Sequence, residues 1–204
     1  MKPATWASAV VGDACAGCRR PGLVLCRGCG DLLRHPEGAP SPPAVTRVHA
    51  GWRYEAAARA LVIALKERGR RGCAAPLAGA AAAAVWRAGL SADVLTWVPG
   101  NPAAARARGF DHGEVLATQV GERLGLRARP LIERVRIVRD QVGLSGRERR
   151  ANLAGAFEAR PNVPPRVALV DDVLTTGATA AACARALRSG GATSVEVVVA
   201  CLTG

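Results

Sequence analysis

A chain of 204 residues, 50% hydrophobic and 22% charged, has room for one ordinary domain plus a small satellite, and it excludes long disorder. No apolar run approaches the roughly 20 residues that span a bilayer, and the N-terminus opens no charged-then-apolar leader, so a cytoplasmic protein with no membrane span is expected. The net charge is +12, and with Lys2 and Lys66 the two lysines, 26 of the 28 basic residues are Arg. Arginine reads phosphate bidentately, which points to a nucleotide or nucleic-acid partner. The Arg residues are spread along the chain, so an Ala/Arg-rich composition explains them equally well.

Four of the seven cysteines fall in two CxxC pairs, Cys15/Cys18 and Cys26/Cys29. Doubled CxxC turns aim four sulfurs at one point, the pattern of a closed tetrahedral zinc site. Such a site has no open position and is structural. Cys73, Cys183 and Cys201 lie in Ala/Val surroundings and read as core. His35 and His49 read as ordinary residues, because the four-Cys set is complete without them. Four prolines between His35 and Pro43 mark a linker, dividing the chain into a zinc module with its linker, 1–43, and a larger domain, 44–204.

In the larger domain an extended segment, 45–53, precedes a helix over 54–68 with apolar Ala57, Leu61, Ala64 and Leu65 at helical spacing. An Ala-rich helix follows over 74–88, then a strand over 93–98 closed by Pro99 and Gly100. Asp111 caps a helix running to Arg123, and 126–129 reads as a short strand. A capping box at Ser145 and Glu148 predicts a polar helix over 145–153. The strand 167–170, the helix 177–188 and the strand 195–202 complete the order. Strands separated by helices imply an α/β fold, a twisted and mostly parallel sheet with helices on both faces.

The segment Arg166–Thr179 places two carboxylates, Asp171 and Asp172, at the end of a buried strand, followed by a Thr/Gly/Ala turn into a helix. Ligands of open α/β sheets sit at the carboxyl ends of strands. Thr175, Thr176 and Thr179 offer hydroxyls, Gly177 lets the backbone come close, and the helix N-terminus adds N–H groups and positive dipole. Carboxylates repel a phosphate but accept hydrogen bonds from vicinal hydroxyls. The ligand built this way is a ribose 5-phosphate, with both carboxylates turned to the sugar as the chain leaves the strand.

This segment resembles the phosphoribosyl pyrophosphate fingerprint of type I phosphoribosyltransferases. The Cys15–Cys29 module, Tyr54 with Leu61-Val62-Ile63-Ala64-Leu65-Lys66, Val98-Pro99, Arg106-x-Arg108-Gly109-Phe110, Gln141-x-Gly143-Leu144, Arg149-x-x-Asn152 and Ala156-Phe157 together resemble the ComF family, over about residues 12–202. The resemblance implies a phosphoribosyltransferase-like domain with a zinc finger. It implies that Asp171 and Asp172 hold the ribose and that Thr175–Thr179, with Val173, Leu174, Thr176, Gly177 and Ala178, form the 5-phosphate loop. Pro99 and Gly100 then hold pyrophosphate, where Gly100-Asn101 departs from the more common second Pro-containing pair. Arg106 and Arg108 either reach the pyrophosphate or belong to a solvated loop. Lys66 either meets the ligand or ends a helix in solvent. Val138 stands where the family often has Thr, in a segment, 134–152, that would lie over the site. His112 reads as an incidental residue at a helix start.

Displacing pyrophosphate needs Mg²⁺ carried with the phosphates, and the acceptor nitrogen attacks without a protein nucleophile. Three functions follow from the resemblance. One is transfer of the phosphoribosyl group from phosphoribosyl pyrophosphate to an unidentified acceptor in nucleotide metabolism. Another is an accessory role in DNA uptake during natural transformation, with single-stranded DNA and uptake proteins as partners. The third is a non-catalytic sensor of phosphoribosyl pyrophosphate or a nucleotide monophosphate.

Overall fold

The computed structural model describes residues 14–136, 153 and 155–204. Its centre is a parallel sheet of β1 (Arg47–Arg53), β2 (Val94–Trp97), β5 (Arg166–Leu174) and β6 (Ser194–Leu202) in the order β1-β6-β5-β2. A single bridge, Ala128 to Leu95, adds the segment read as a short strand to the free edge of β2. Past their first residues the two central strands are apolar on both faces except at Asp171, Asp172 and Glu196. Val195, Val197, Val198 and Val199 of β6 are all buried, as a strand covered on both sides requires.

One face carries α2 (Ala56–Lys66), α3 (Ala74–Ala88) and α5 (His112–Leu124). The other carries α6 (Ala178–Ser189) and an antiparallel ribbon of β3 (Ile132–Arg134) and β4 (Phe157–Ala159). The small residues of α3 explain how a chain so poor in aromatics closes its core. A Cβ on Gly51 of β1 would lie 2.7 Å from Ala200 O and 2.8 Å from Ala80 Cβ, so helix and sheet meet almost backbone to backbone. Buried His49 Nε2 meets Glu196 Oε2 at 2.6 Å, and the other carboxylate oxygen accepts from Ser91 N, tying β1, β6 and the α3–β2 turn together.

The Cys-rich segment, which includes the short α1 (Arg27–Gly30), is docked on this domain. Ala16, Val24, Leu25 and Leu33 pack against the α2/α3/α5 core, Arg53 N donates to Arg34 O, and His35 Nδ1 lies 2.7 Å from Gly51 O. Beyond it, Ala39, Ala44 and Val45 of the Pro-rich stretch pack against the opposite core.

Spacing, composition, caps and stops placed α2, α3, α5, α6 and the sheet strands within a few residues. They missed α4 (Pro102–Arg108), where Asn101 caps the helix and Pro102 opens it, and they missed the β3–β4 ribbon, whose strands are three residues each. The helix expected over 145–153 falls, but for Leu153, outside the described residues, as do Val138, Gln141, Gly143, Arg149 and Asn152. Among the described residues no helix is long and apolar enough to cross a membrane.

Candidate functional site

Between β5 and β2 the strand order diverges. The chain leaves β5 through α6 toward β6 on one face, and leaves β2 through α4 and α5 on the other. In open α/β sheets a ligand crevice lies at the carboxyl ends of the strands where the order switches, and the segments singled out in the sequence meet there.

Strand β5 extends farther than its apolar run suggested. Val173 pairs with Cys201 and Leu174 with Leu202, so Asp171 and Asp172 still lie within the strand rather than in a turn. Ladder pairing with the equally long β6 holds them there. Successive side chains therefore leave opposite faces. Asp172 is buried on the α2/α5 side, with Lys66 Nζ 3.3 Å and His112 Nε2 3.7 Å from its Oδ2. Asp171 lies on the α6 side, where its charge is felt by Cys183 and Arg134. Each carboxylate folds back on the next backbone N–H: Asp172 N donates to Asp171 Oδ1 and Val173 N to Asp172 Oδ1, both at 2.9 Å.

The two acids differ electrostatically. Burial pushes Asp171 well above the ordinary carboxylate range, and the neighbouring Asp172 charge pushes it the same way. Burial also raises Asp172, but Lys66 and His112 outweigh it and hold Asp172 below its ordinary value. In return the Asp172 charge raises Lys66. Lys66 thus ends α2 beside Asp172 while staying half exposed.

The loop after β5 exposes Thr175 and Thr176 and turns through Gly177, whose φ of 72° favours glycine. Thr176 Oγ1 accepts from Ala178 N at 3.4 Å. Half-buried Thr179 lies in the first turn of α6, whose leading N–H groups lack intrahelical partners. The space over Gly177 is not an open approach path: a Cβ there would meet Pro42 Cγ at 2.5 Å. The linker braces the loop, and glycine is required by that contact and by its φ.

Across the crevice, Arg134 donates twice to Pro99 O, at 3.3 and 3.1 Å. Gly100 N donates to Asp111 Oδ2, and Asp111 also caps α5 through Gly113 N. The two arginines of α4 separate. Two positions along a helix turn side chains to different sides, so Arg106 is exposed whereas Arg108 Nη2 reaches His112 Nδ1 at 3.3 Å.

The four cysteines form a second centre. Their sulfurs all lie within 4.8 Å of one another, and Cys18 and Cys26 are 3.6 Å apart, near the roughly 3.8 Å edge of a tetrahedral Zn–S₄ site. Burial pushes the Cys15 thiol up, but N–H groups of Cys26, Cys18 and Gly17 outweigh it and lower it to about 6. Cys29, hydrogen-bonded first to Cys15, is raised to about 12. One thiolate thus suppresses the next, and a bound cation is what allows all four to ionise together. These four residues could hold a metal ion.

No family model matches the chain. It is 32% identical over 203 residues to the DNA utilization protein YhgH of Salmonella typhimurium, covering 94% of this chain and 89% of that protein. The chain belongs to the ComF family. A shorter match, 37% identical over 95 residues, is to competence protein F of Haemophilus influenzae and covers 44% of this chain and 42% of that protein. Among solved structures, a glutamine phosphoribosylpyrophosphate amidotransferase from B. subtilis aligns with a TM-score of 0.45 at 23% identity, over 63% of this chain and 26% of that one.

In this ComF-family chain, sequence reasoning brought Lys66, Pro99, Gly100, Arg108, Asp171, Asp172 and the Thr175–Thr179 loop to one place. It passed over His112, Asp111 and Arg134. Asp111 carried a signal, since a helix-capping carboxylate after Gly-Phe has a second oxygen to spare. His112 and Arg134 carried none, because their partners lie on other elements.

Proposed function

We propose that this ComF-family protein binds phosphoribosyl pyrophosphate, accompanied by Mg²⁺, in the β5/β2 crevice and transfers its phosphoribosyl group to an acceptor nitrogen. The observation that carries the reading is the convergence at one strand-order switch of an acidic pair, a Thr/Gly loop opening α6 and the Pro99-Gly100 turn. The α6 N-terminus and loop hydroxyls suit the 5-phosphate. Asp172, held by Lys66 on the α2/α5 side, accepts from a ribose hydroxyl, whereas Asp171 leaves the strand on the α6 side, away from that face of the ring. Gly100 and Arg108 suit the pyrophosphate. Magnesium, bound with the ligand, would neutralise the departing pyrophosphate; the residues of this chain bind and orient the two halves of the ligand.

The experiment is calorimetric titration with phosphoribosyl pyrophosphate and Mg²⁺, paired with pyrophosphate release across a panel of nucleobases and amines. Saturable binding with acceptor-dependent release is expected. Binding without release with any acceptor would leave the sensor reading standing in its place, and absence of binding would overturn both.

The Cys15, Cys18, Cys26 and Cys29 cluster takes zinc in a structural role. Metal analysis should find about one zinc per chain. Cys26→Ser should loosen the docked segment around residues 14–35, read as faster amide exchange there, while the sheet stays protected. A metal-free protein with four reactive thiols and an unchanged exchange pattern would rule the zinc out.

The names of the relatives favour a second reading, in DNA utilization. Exposed Arg19, Arg20, Arg27 and Arg34 on the Cys-rich segment offer a cationic face for single-stranded DNA and its uptake partners. Binding of a labelled oligonucleotide that weakens as salt rises and loses both affinity and salt slope on charge reversal of Arg19 and Arg20 would support it; binding unchanged by those reversals would count against it.

A further inference from the structure

His112 links the two halves of the crevice. Its ring is buried, and charged groups face it from four directions: Asp172 of β5, Lys66 of α2, Arg108 of α4 and Asp111 immediately before it. A guanidinium only donates. With Arg108 Nη2 at 3.3 Å, Nδ1 must present its lone pair, which puts the ring proton on Nε2, facing Asp172 Oδ2 at 3.7 Å. Asp172 Oδ2 is itself buried, and among the described residues it completes no hydrogen bond, although Lys66 pairs with it by charge. Asp111 Oδ1 lies 3.8 Å from Nδ1, next in line behind Arg108.

We propose that His112 is a positioning residue that couples Arg108 to Asp172, taking up a proton from solvent when an anionic pyrophosphate group draws Arg108 away. The inference rests on the reading of the crevice as a phosphoribosyl pyrophosphate site. Arg108 turned to pyrophosphate oxygens leaves Nδ1 without its donor. The ring then stands between two carboxylates, Asp111 and Asp172, and gains a second N–H. As imidazolium it donates toward Asp111, which holds Gly100 N, and toward Asp172 on the ribose side. The pyrophosphate and ribose sides of the pocket are thereby fastened through one ring.

The direction of the titration agrees. In the free protein burial keeps His112 below its ordinary value, opposed by Asp172 and Asp111 and assisted by Lys66 and Arg108. Loss of Arg108 and arrival of the ligand's negative charge both raise it. Binding that takes up a proton tightens as pH falls through the bound-state value and becomes independent of this group above it.

The test uses inorganic pyrophosphate with Mg²⁺, phosphoribosyl pyrophosphate with Mg²⁺, and ribose 5-phosphate. Calorimetry near pH 6.5 in buffers of different ionisation enthalpy should show that His112→Gln takes up less proton than wild type, by roughly half a proton or more, with both pyrophosphate ligands. Ribose 5-phosphate should show no such difference. The wild type's affinity for pyrophosphate should weaken from pH 6 to pH 8 about three- to tenfold more than that of His112→Gln. A second measurement needs no variant. The chain has three histidines, and one ring resonance should raise its titration midpoint by about one pH unit on addition of Mg²⁺-pyrophosphate. Binding of phosphoribosyl pyrophosphate with equal proton uptake in both proteins and no shifted histidine overturns the His112 coupling and leaves the ligand assignment intact. Failure of both pyrophosphate ligands to bind overturns the two together.

Discussion

Gly177→Val should cost the fold roughly 2–5 kcal/mol and remove detectable binding of phosphoribosyl pyrophosphate. Two separate effects add up. Gly177 has a φ of 72°, a region that a β-branched residue enters only with strain, and its missing Cβ would sit 2.5 Å from Pro42 Cγ and 3.0 Å from Pro42 Cβ. Neither neighbour yields easily, because Val45 N donates back to Pro42 O and Ala39, Ala44 and Val45 are packed on the core beneath. The loop has to move, and with it the start of α6. Thermal melting of Gly177→Ala alone and with Pro42→Gly separates the two effects. The double variant should recover the overpacking part, about 1–3 kcal/mol, and keep the backbone strain. A Gly177→Val protein that melts within about 2 °C of wild type would show that linker and loop do not touch.

That contact also marks where the sequence stopped being informative. A Thr-Gly turn opening a helix was legible because its residue types act locally. The four-proline stretch was legible as a break in regular structure. That Pro42 returns across more than a hundred residues to Gly177 has no local signature, so glycine's need was assigned to the ligand instead of to the linker. The same division holds elsewhere. The Ala-rich run of α3 ends at Gly89 and α6 ends at Ser189-Gly190-Gly191, local signals that placed both helices where expected. The β3–β4 strands are too short to show alternation, and they form because Ile132 and Phe157 bury against α6. His112 was legible only as a residue following a cap. Its place between Arg108 and Asp172 depends on three elements converging at the strand-order switch.

Asp171→Asn and Asp172→Asn should behave differently, although the residues are adjacent and chemically identical. Asp172 is the ionised member: Lys66 Nζ stands 3.3 Å from it, and its value is held below the ordinary carboxylate range. A depressed carboxylate contributes stability above its unfolded value and loses it as pH falls, so Asp172→Asn is a loss at neutral pH. Lys66 is half exposed and can turn to solvent, which limits that loss to about 1–2 kcal/mol. Its effect on the ligand is larger. A hydroxyl-to-carboxylate hydrogen bond is worth roughly 1.5–3 kcal/mol, which predicts about tenfold to hundredfold weaker binding of phosphoribosyl pyrophosphate. Asp171 is pushed the other way, raised by burial and by its neighbour's charge. A raised carboxylate contributes stability below its unfolded value and loses it as pH rises through the folded value. Asp171→Asn removes that loss, so at neutral pH the variant should melt at or above the wild-type temperature. The Asp171 side chain also leaves the strand on the face opposite Asp172, so affinity should fall only about two- to tenfold. Calorimetry and melting curves at pH 7 on both variants decide the matter. Equal losses of affinity would mean that both carboxylates are ionised against the sugar, and a destabilised Asp171→Asn would mean that the buried acid is holding the strand end together.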